Sequence, residues 1–314
     1  MAPFLPPAID RRALRPGEGN RYGQRRTSCV FLYFQKTADP SLRRPFRSAN
    51  SPPLQIKGGA PACGYAIIAR AADKMRVAIV ADIHGNRRAF QAVLADLRQV
   101  APDLVLQGGD LAYGGTHPAY IIDQIRGLGW PGVRGNTDEM LWAPESLAEF
   151  AARQPKLGPL LSLIEEMIPP TLASIGEERL RWLEGLPEQY SGEGFSLVHA
   201  SPGDLWRAPM PDASDDELQS TYASLRAAVV VYGHIHRPYI RRLPGMTVAN
   251  TGSVSQSYDG DRRASYLVMD GESVTIRRVE YDVESEAKEL LDSGLPHAKW
   301  LSRILLAGKY CPPE

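Results

Sequence analysis

The stretch that most constrains the fold is an unbroken run of small apolar residues, Val77 to Ala81, which has no polar face to offer to solvent. Such a run is typical of a strand that is buried on both sides in an α/β sheet. It ends in Asp82-Ile83-His84-Gly85-Asn86. The side chains of Asp82 and His84 point the same way, because strand residues alternate with period two. A carboxylate beside an imidazole suits a divalent metal, but these residues alone fit a turn with a surface histidine equally well.

The net charge of zero conceals a basic head and an acidic body. Residues 1–74 carry 13 Lys and Arg against 4 Asp and Glu, whereas residues 75–314 carry 23 against 32. The head is rich in Arg, Pro, Gly and Ser and lacks periodicity, which predicts a disordered segment. A nucleic-acid-binding arm is disfavoured because the arginines form no stripe, and a signal peptide because the apolar part is too short. We favour a third explanation, in which the biological chain begins at Met75 and the head is a mis-assigned start.

The cysteines and the hydropathy indicate the compartment. Three cysteines, none in a Cys-x-x-Cys spacing, argue for a reducing compartment and against a thiolate zinc site. No apolar run approaches the roughly 18 residues that a membrane span needs. The sequence therefore predicts a cytoplasmic protein with no membrane partner. It leaves the oligomeric state open, with a homodimer as one possibility.

From Met75 onward, strand-like and helix-like segments alternate along the chain, and the last two strand-like segments form a pair. The Asp270-Gly271 turn between them is a strong hairpin signal. This order predicts an α/β domain over residues 75–314, with a mixed sheet covered by helices. The pattern also predicts a short strand at residues 132–134 and a helical insertion over about residues 139–190.

Several metal-ligating side chains follow predicted strands. Loops beyond the carboxyl ends of strands meet in one crevice of an open α/β sheet, where ligands bind. Buried without a ligand, these imidazoles would leave polar atoms unpaired. Oxygen and imidazole nitrogen suit manganese, iron or zinc better than calcium or copper(I). Seven ligands are too many for one ion but fill two sites if one carboxylate bridges them. The seven are Asp82, His84, Asp110, Asn136, His199, His234 and His236.

Five motifs in the same order resemble the signature of the calcineurin-like metallophosphoesterases. They are Asp82-x-His84, Gly109-Asp110, Gly135-Asn136-x-Asp138, VHASP at residues 198–202 and GHIH at residues 233–236. A further segment, NTGSV at residues 250–254 followed by DGDRRASY, is similar to the small bacterial and archaeal branch of that family. This branch includes proteins labelled as phosphodiesterases or as diadenosine-tetraphosphatase-like.

The resemblance implies a fold, a cofactor and an activity. The fold is a four-layer α/β/β/α sandwich of two mixed β-sheets flanked by helices. The cofactor is a pair of divalent metal ions, with Mn2+ favoured and Fe, Zn or Ni as alternatives. One metal would be held by Asp82, His84 and His236, and the other by Asn136, His199 and His234, with Asp110 bridging. The activity is that of a phosphodiesterase in which a metal-bridging hydroxide attacks phosphorus, while Asn136 and His199 orient the phosphoryl oxygens.

One position departs from the family pattern. Many members have a histidine directly after the asparagine, where it is thought to protonate the leaving group, and this chain has Thr137. Loss of general acid catalysis costs about 10²–10⁴-fold for a basic leaving group. We therefore expect substrates whose leaving groups need little help from a proton, unless a water held by Asp138 supplies it. Asn86, Arg87 and Thr137 are weaker candidates for substrate binding, with a helix cap as the alternative for Asn86 and a solvated charge as the alternative for Arg87.

Two other functions remain open at this point. One is a nucleotide pyrophosphatase that cleaves dinucleoside polyphosphates, so the partner is a small phosphoester or a nucleotide in either case. The other is a non-catalytic metal-binding scaffold, as in the retromer subunit that resembles this fold. Such a protein is expected to have lost ligands, and all seven are present here.

Overall fold

Two β-sheets form the centre of the structure. The computed structural model describes residues 75–313, so the predictions for the basic head lie outside the described residues. The first sheet contains, in spatial order, β2 (Leu104–Gln107), β1 (Arg76–Val80), β8 (Ala264–Asp270) and β9 (Ser273–Val279). The second contains β3 (Gln189–Gly192), β4 (Phe195–Val198), β5 (Val229–Tyr232), β7 (Met246–Asn250) and β6 (Tyr239–Leu243).

Both sheets are mixed, as predicted. In the first sheet, β1 pairs in parallel with β2 and antiparallel with β8, and β8 and β9 form the predicted hairpin. In the second, β4, β5 and β7 are parallel, and the two edge strands β3 and β6 run antiparallel to their neighbours. The parallel strands therefore bring their carboxyl ends to one side of each sheet.

The apolar run in β1 is buried on both of its faces. Val77 and Ile79 belong to the apolar layer between the two sheets, which also contains Leu197 of β4. Ala78 and Val80 point the other way, into a cluster that the helices cover. This alternation explains why the run has no polar face, because neither side of the strand meets solvent.

Helices cover the outer faces of the sheets. The first sheet shares a buried apolar cluster with α1 (Arg87–Val100), α2 (Pro118–Leu128), α8 (Val283–Asp292) and α9 (Ala298–Ala307). On the second sheet, α7 (Asp215–Tyr222) buries Leu218 and Tyr222 in a cluster with Val230 and Tyr232. A 3-10 turn, Ala223–Leu225, ends that helix. The layers are therefore helix, sheet, sheet and helix, which confirms the predicted sandwich.

A helical segment lies between α2 and β3 in the chain. It contains α3 (Asn136–Glu139), α4 (Pro144–Arg153), a 3-10 turn at Pro155–Leu157, α5 (Gly158–Glu166) and α6 (Ile168–Glu184). The helix α6 is interrupted at Gly176, whose φ of 68° and ψ of 171° are not helical. No helix among residues 75–313 is long and apolar enough to cross a membrane.

This helical segment is attached to the body at separate places. Before the interruption, Phe150 stacks on Trp206, with ring centroids 5.1 Å apart. The Tyr113 hydroxyl, in the loop after β2, donates to the Ile164 carbonyl at 3.0 Å. After the interruption, Arg179 pairs with Asp123 of α2 at 2.6 Å. The two halves of the segment thus contact different parts of the body.

The predicted strand at residues 132–134 is wrong. Only Gly132 forms a bridge, in parallel with Gln107, and Arg134 donates instead to the Pro187 carbonyl at 2.9 Å. The chain therefore leaves the sheet after a single pairing. The edge strands β3 and β6 had not been predicted, because edge strands carry the polar and charged side chains that hide a strand pattern.

A carboxylate on α1 joins that helix to the first sheet. Asp96 accepts hydrogen bonds from the Arg277 guanidinium of β9 at 2.7 and 2.8 Å and from the Tyr266 hydroxyl of β8 at 2.6 Å. The Arg277 hydrogen bonds, followed by that of Tyr266, lower the pKa of Asp96, although partial burial opposes them. The ionised carboxylate therefore stabilises the folded state.

We predict that Asp96→Asn lowers the free energy of unfolding by about 1–2 kcal/mol at neutral pH. Because the pKa of Asp96 is lower in the folded state, its contribution is complete above the unfolded value of about 4 and is lost as the pH falls through the folded value. Urea unfolding of both proteins from pH 7 downwards should show the difference shrink below about pH 4. A difference that persists unchanged at lower pH would contradict the prediction, and Asp292→Asn, at an exposed pair with Lys288, is the control.

Candidate metal centre

The seven predicted ligands lie in the loops that follow strands β1, β2, β4 and β5 and at the start of α3. Backbone hydrogen bonds hold these loops side by side. The Asp82 amide donates to the Gly109 carbonyl at 3.0 Å, and the His84 amide donates to the Asp110 carbonyl at 3.0 Å. The His234 amide donates to the Asp82 carboxylate at 3.1 Å, which connects the loops of the two sheets. The side chains therefore converge where the two sheets meet.

Four of these residues form a compact buried group: Asp82, His84, Asp110 and His236. Each offers one ligand atom, and these atoms all lie within 4.8 Å of one another. The Nε2 atom of His236 lies 3.2 Å from Asp82 Oδ1 and 3.2 Å from His84 Nε2. Two carboxylates and two imidazoles at this spacing could hold a divalent cation.

The other three predicted ligands form a second group beside the first. Asn136 Oδ1 lies 3.0 Å from His199 Nε2 and 3.0 Å from His234 Nδ1. Asp110 lies between the groups, with Oδ2 3.7 Å from His84 Nε2 and Oδ1 3.4 Å from His199 Nε2. The structure thus brings all seven predicted residues together and places one carboxylate between two sets of ligand atoms.

Backbone carbonyls orient three of the four imidazoles. His84 Nδ1 donates to the Tyr113 carbonyl at 2.8 Å, and His199 Nδ1 donates to the Gly108 carbonyl at 2.8 Å. His236 Nδ1 donates to the Gln256 carbonyl at 2.7 Å. In a neutral imidazole this leaves Nε2 without a proton, as metal-binding histidines require. The Nε2 atoms of His84 and His236 then face each other with no proton between them. A cation bound by both lone pairs would remove that repulsion, so these residues fit a metal.

Burial and neighbouring charges set the protonation of the group. Burial lowers the pKa of His84, and burial followed by the charge of His199 lowers that of His234 to about 4. Burial also disfavours the charged form of His199, but Asp110 and then Asp82 outweigh it and raise its pKa. Burial works against the ionised form of Asp110, yet the histidines, His199 first, lower its pKa. At neutral pH, His84 and His234 therefore keep free lone pairs beside an ionised carboxylate.

The backbone of the site is strained. Eight non-glycine residues among residues 75–313 have a positive φ, and five of them are predicted ligands, with φ between 48° and 67°. Backbone in this region costs about 1 kcal/mol or more per residue and persists only where the surroundings impose it. Its concentration in these loops indicates a functional constraint. The five are Asp82, His84, Asp110, His234 and His236.

Asp138 lies behind the ligands. Its Oδ2 accepts hydrogen bonds from the amides of Asp110 at 2.8 Å and Gly135 at 3.2 Å, and its Oδ1 accepts one from Leu111 at 3.0 Å. Burial, followed by the charge of Asp110, raises the pKa of Asp138 to about 7. Because both oxygens bind backbone amides of the Asp110 loop, the geometry favours a positioning role over the predicted catalytic role.

The three weaker candidates have different surroundings. Asn86 caps α1 by accepting from the Ala89 amide at 3.0 Å, and its Nδ2 donates to Ser255 Oγ at 3.2 Å, so the cap explains it. Arg87 lies 3.7 Å from a Glu289 carboxylate oxygen, so its charge has a partner within the protein. Thr137 donates its amide to Asp110 Oδ1 at 3.0 Å, and its buried hydroxyl has no partner among the described residues. Of these three residues, only Thr137 has a side-chain polar group without a partner among the described residues.

A polar loop that supports the site was missed from the sequence. Ser253, buried in the loop after β7, donates to the Asp82 carbonyl at 2.9 Å and accepts from the Gln256 amide at 2.8 Å. The ring of Tyr258 lies on that of His236, with centroids 4.7 Å apart. In the sequence, NTGSV at residues 250–254 indicates only a branch of the family. A run of small polar residues directly after an apolar strand was the signal that could have identified this support.

The sequence matches a described family and curated relatives. Residues 75–273 match the calcineurin-like phosphoesterase superfamily domain. An uncharacterized protein of Methanocaldococcus jannaschii is 29% identical over 259 residues, which cover 75% of this chain and 99% of that protein. A protein of a Synechococcus strain, named as a probable cyclic nucleotide phosphodiesterase, is 27% identical over 168 residues, which cover 48% of this chain and 64% of that protein.

Solved structures have the same fold. The crystal structure of a metallophosphoesterase from Sphaerobacter thermophilus is 25% identical, with a TM-score of 0.60 and coverage of 75% of this chain and 99% of that one. A hypothetical protein from Pyrococcus horikoshii is 19% identical, with a TM-score of 0.63 and the same coverage, 75% and 99%. Since the family match covers more than half of the chain, the protein belongs to the calcineurin-like phosphoesterase superfamily and is a metal-dependent phosphoric ester hydrolase, as predicted.

Proposed function

We propose that this chain is a cytoplasmic, dinuclear metal-dependent phosphodiesterase acting on small phosphoesters or nucleotides. The position of Asp110 carries the proposal, because its Oδ2 faces His84 at 3.7 Å and its Oδ1 faces His199 at 3.4 Å. A carboxylate with a different set of ligand atoms at each oxygen suits a two-metal site. The relative named as a probable cyclic nucleotide phosphodiesterase supports a diester as the substrate.

Two ligand sets follow from this arrangement. Asp82, His84 and His236 would hold one cation, and Asn136, His199 and His234 would hold the other, with Asp110 shared. The nitrogen and oxygen atoms suit Mn2+, with iron, zinc or nickel as alternatives. When bound, two such cations supply a water of lowered pKa and neutralise charge on the phosphoryl oxygens.

The residues of the chain would orient the substrate and control the proton. Asn136 and His199, at the edge of the second set, would orient the phosphoryl oxygens. Asp138 holds the Asp110 loop through three backbone amides. Thr137 offers only a neutral hydroxyl, which is a poor general acid at neutral pH. The leaving group would therefore depart with little help from a proton.

Two glycines allow other loops to approach the carboxylates. A Cβ atom on Gly233 would lie 2.5 Å from Asp82 Oδ2, and one on Gly135 would lie 2.0 Å from Asp110 Oδ1. Both distances are far below a van der Waals contact. A side chain at either position would therefore displace a proposed ligand.

The first prediction from the proposed function concerns the metal and Asp110, the carboxylate shared by the two ligand sets. We expect the protein to hydrolyse bis(4-nitrophenyl) phosphate with added Mn2+ and to lose activity when the metal is chelated. Asp110→Asn should lower kcat by at least about 10²-fold, because it removes a negative charge shared by both sets. Steady-state kinetics, with bound Mn2+ counted by calorimetry, measure both effects.

The same assay separates the alternatives. Faster hydrolysis of a bis-nucleoside tetraphosphate than of the diester would favour the pyrophosphatase. Two bound Mn2+ ions without hydrolysis of any phosphoester in the panel would contradict the proposal and favour the scaffold. Asp103→Asn is the control for loss of charge, because Asp103 is an exposed carboxylate directly before β2 that accepts from the Arg76 amide.

The second prediction concerns the leaving group. With Thr137 in place of a histidine, aryl esters should be hydrolysed about 10²–10⁴-fold faster than alkyl esters of the same phosphate. A series of diesters with leaving groups of different pKa would measure the slope. Thr137→Val, which removes the hydroxyl at similar volume, should leave the slope unchanged. A rate that does not depend on the pKa of the leaving group would exclude this preference.

The third prediction concerns the close approach of Gly233. Gly233→Ala should weaken Mn2+ binding by about 10–100-fold, because the added methyl displaces Asp82. Titration with Mn2+ followed by calorimetry is the measurement. Gly127→Ala, where a Cβ meets nothing within 4 Å, is the matched control. Equal Mn2+ affinity of the two variants would show that Asp82 is not a ligand or that the loop moves freely.

A further inference from the structure

Arg237 is a partly buried cation that has no partner among residues 75–313. It directly follows His236 in the chain, and its side chain has no hydrogen bond or ion pair with any of residues 75–313. Every other arginine or lysine of that range that is at least partly buried has one. Arg134, for example, lies 2.6 Å from Glu188, and Arg241 lies 2.7 Å from Asp215.

The missing partner is unusual for this molecule. Residues 75–314 contain 32 acidic against 23 basic residues, so carboxylates are abundant. Even exposed arginines that follow Tyr258 in the chain have a carboxylate partner. Arg262 pairs with Glu284 at 2.7 Å, and Arg263 pairs with Asp261 at 2.6 Å. A partly desolvated guanidinium without a counter-charge is costly. A bound anion would remove this cost.

The chain places Arg237 close to the ligands. Adjacent Cα atoms lie about 3.8 Å apart, and an extended arginine side chain is longer than that of histidine. His236 Nε2 is itself only 3.2 Å from Asp82 Oδ1. The Arg237 side chain is therefore long enough to span from its Cα to an anion that is bound at the metal centre or directly beside it.

We propose that Arg237 binds a phosphoryl oxygen of the substrate. The planar guanidinium matches the geometry of phosphate and can donate two parallel hydrogen bonds to it. The oxygen belongs either to the phosphate that reacts or to a second phosphate of the same molecule. This inference rests on the proposed function for the nature of the substrate.

Binding of non-reacting anions to the Mn2+-loaded protein tests the inference without turnover. Inorganic phosphate and methylenediphosphonate serve as probes, and isothermal titration calorimetry measures their affinities. Arg237→Gln should weaken binding by about 10–100-fold, the value of a charge-assisted hydrogen bond pair. Arg237→Lys should recover part of the affinity, because lysine restores the positive charge but cannot donate the two parallel hydrogen bonds of a guanidinium.

The two probes identify which phosphate is bound. Weaker binding of both indicates the reacting phosphate, whereas weaker binding of methylenediphosphonate alone indicates a second phosphate. Unchanged affinity for both would overturn the inference. Because no hydrolysis is measured, this result does not depend on whether the protein acts on diesters.

Two controls separate substrate binding from a structural role. Arg242→Gln removes the same charge from an exposed position on β6 and should leave both affinities unchanged. Mn2+ affinity and the melting temperature of Arg237→Gln should equal those of the unsubstituted protein. A loss of Mn2+ binding equal to the loss of anion binding would show instead that Arg237 positions His236, and would also overturn the inference.

Discussion

The geometry of the metal centre depends on three hydrogen bonds from imidazole N–H groups to backbone carbonyls. The carbonyls of Gly108, Tyr113 and Gln256 belong to loops of both sheets, so no single loop determines where a histidine points. Each bond fixes a ring orientation and a tautomer together. The buried strands fix where these loops begin, and Gly135 and Gly233 let neighbouring loops approach the Asp110 and Asp82 carboxylates. The site is therefore a property of the whole sandwich.

The sequence predicted the parts of the fold that depend on local pattern. The apolar run in β1, the hairpin at Asp270-Gly271 and the ligands at strand ends have periodicity or turn chemistry of their own. The edge strands β3 and β6 do not, because an edge strand is defined by its neighbour rather than by its residues. The chain leaves the sheet after Gly132 because the Arg134 amide donates to the Pro187 carbonyl, a contact that has no local signature in the sequence.

The metal centre likewise has features that could be predicted from the sequence and features that could not. Its ligands could be found because metal chemistry restricts the residue types, and their meeting follows from the position of strand ends. The orientation of Asp138 towards backbone amides could not be predicted, because an aspartate in the sequence does not show whether its carboxylate acts in catalysis or positions a loop. Ser253 was missed for a similar reason, since its importance lies in a bond to the Asp82 carbonyl. The group that a polar side chain binds is determined by the tertiary structure.

The interruption of α6 at Gly176 divides the helical segment into two parts that are attached to the body by different polar and aromatic contacts. The later part is bound to α2 through Arg179 and Asp123, and the earlier part touches the loops after β2 and β4 through Ile164 and Phe150. A glycine with non-helical backbone between them does not transmit a continuous helix axis. Insertions or exchanges in the earlier part would therefore act on the loops after β2 and β4, which also carry Asp110 and His199, and on the apolar cluster that this part shares with the first sheet.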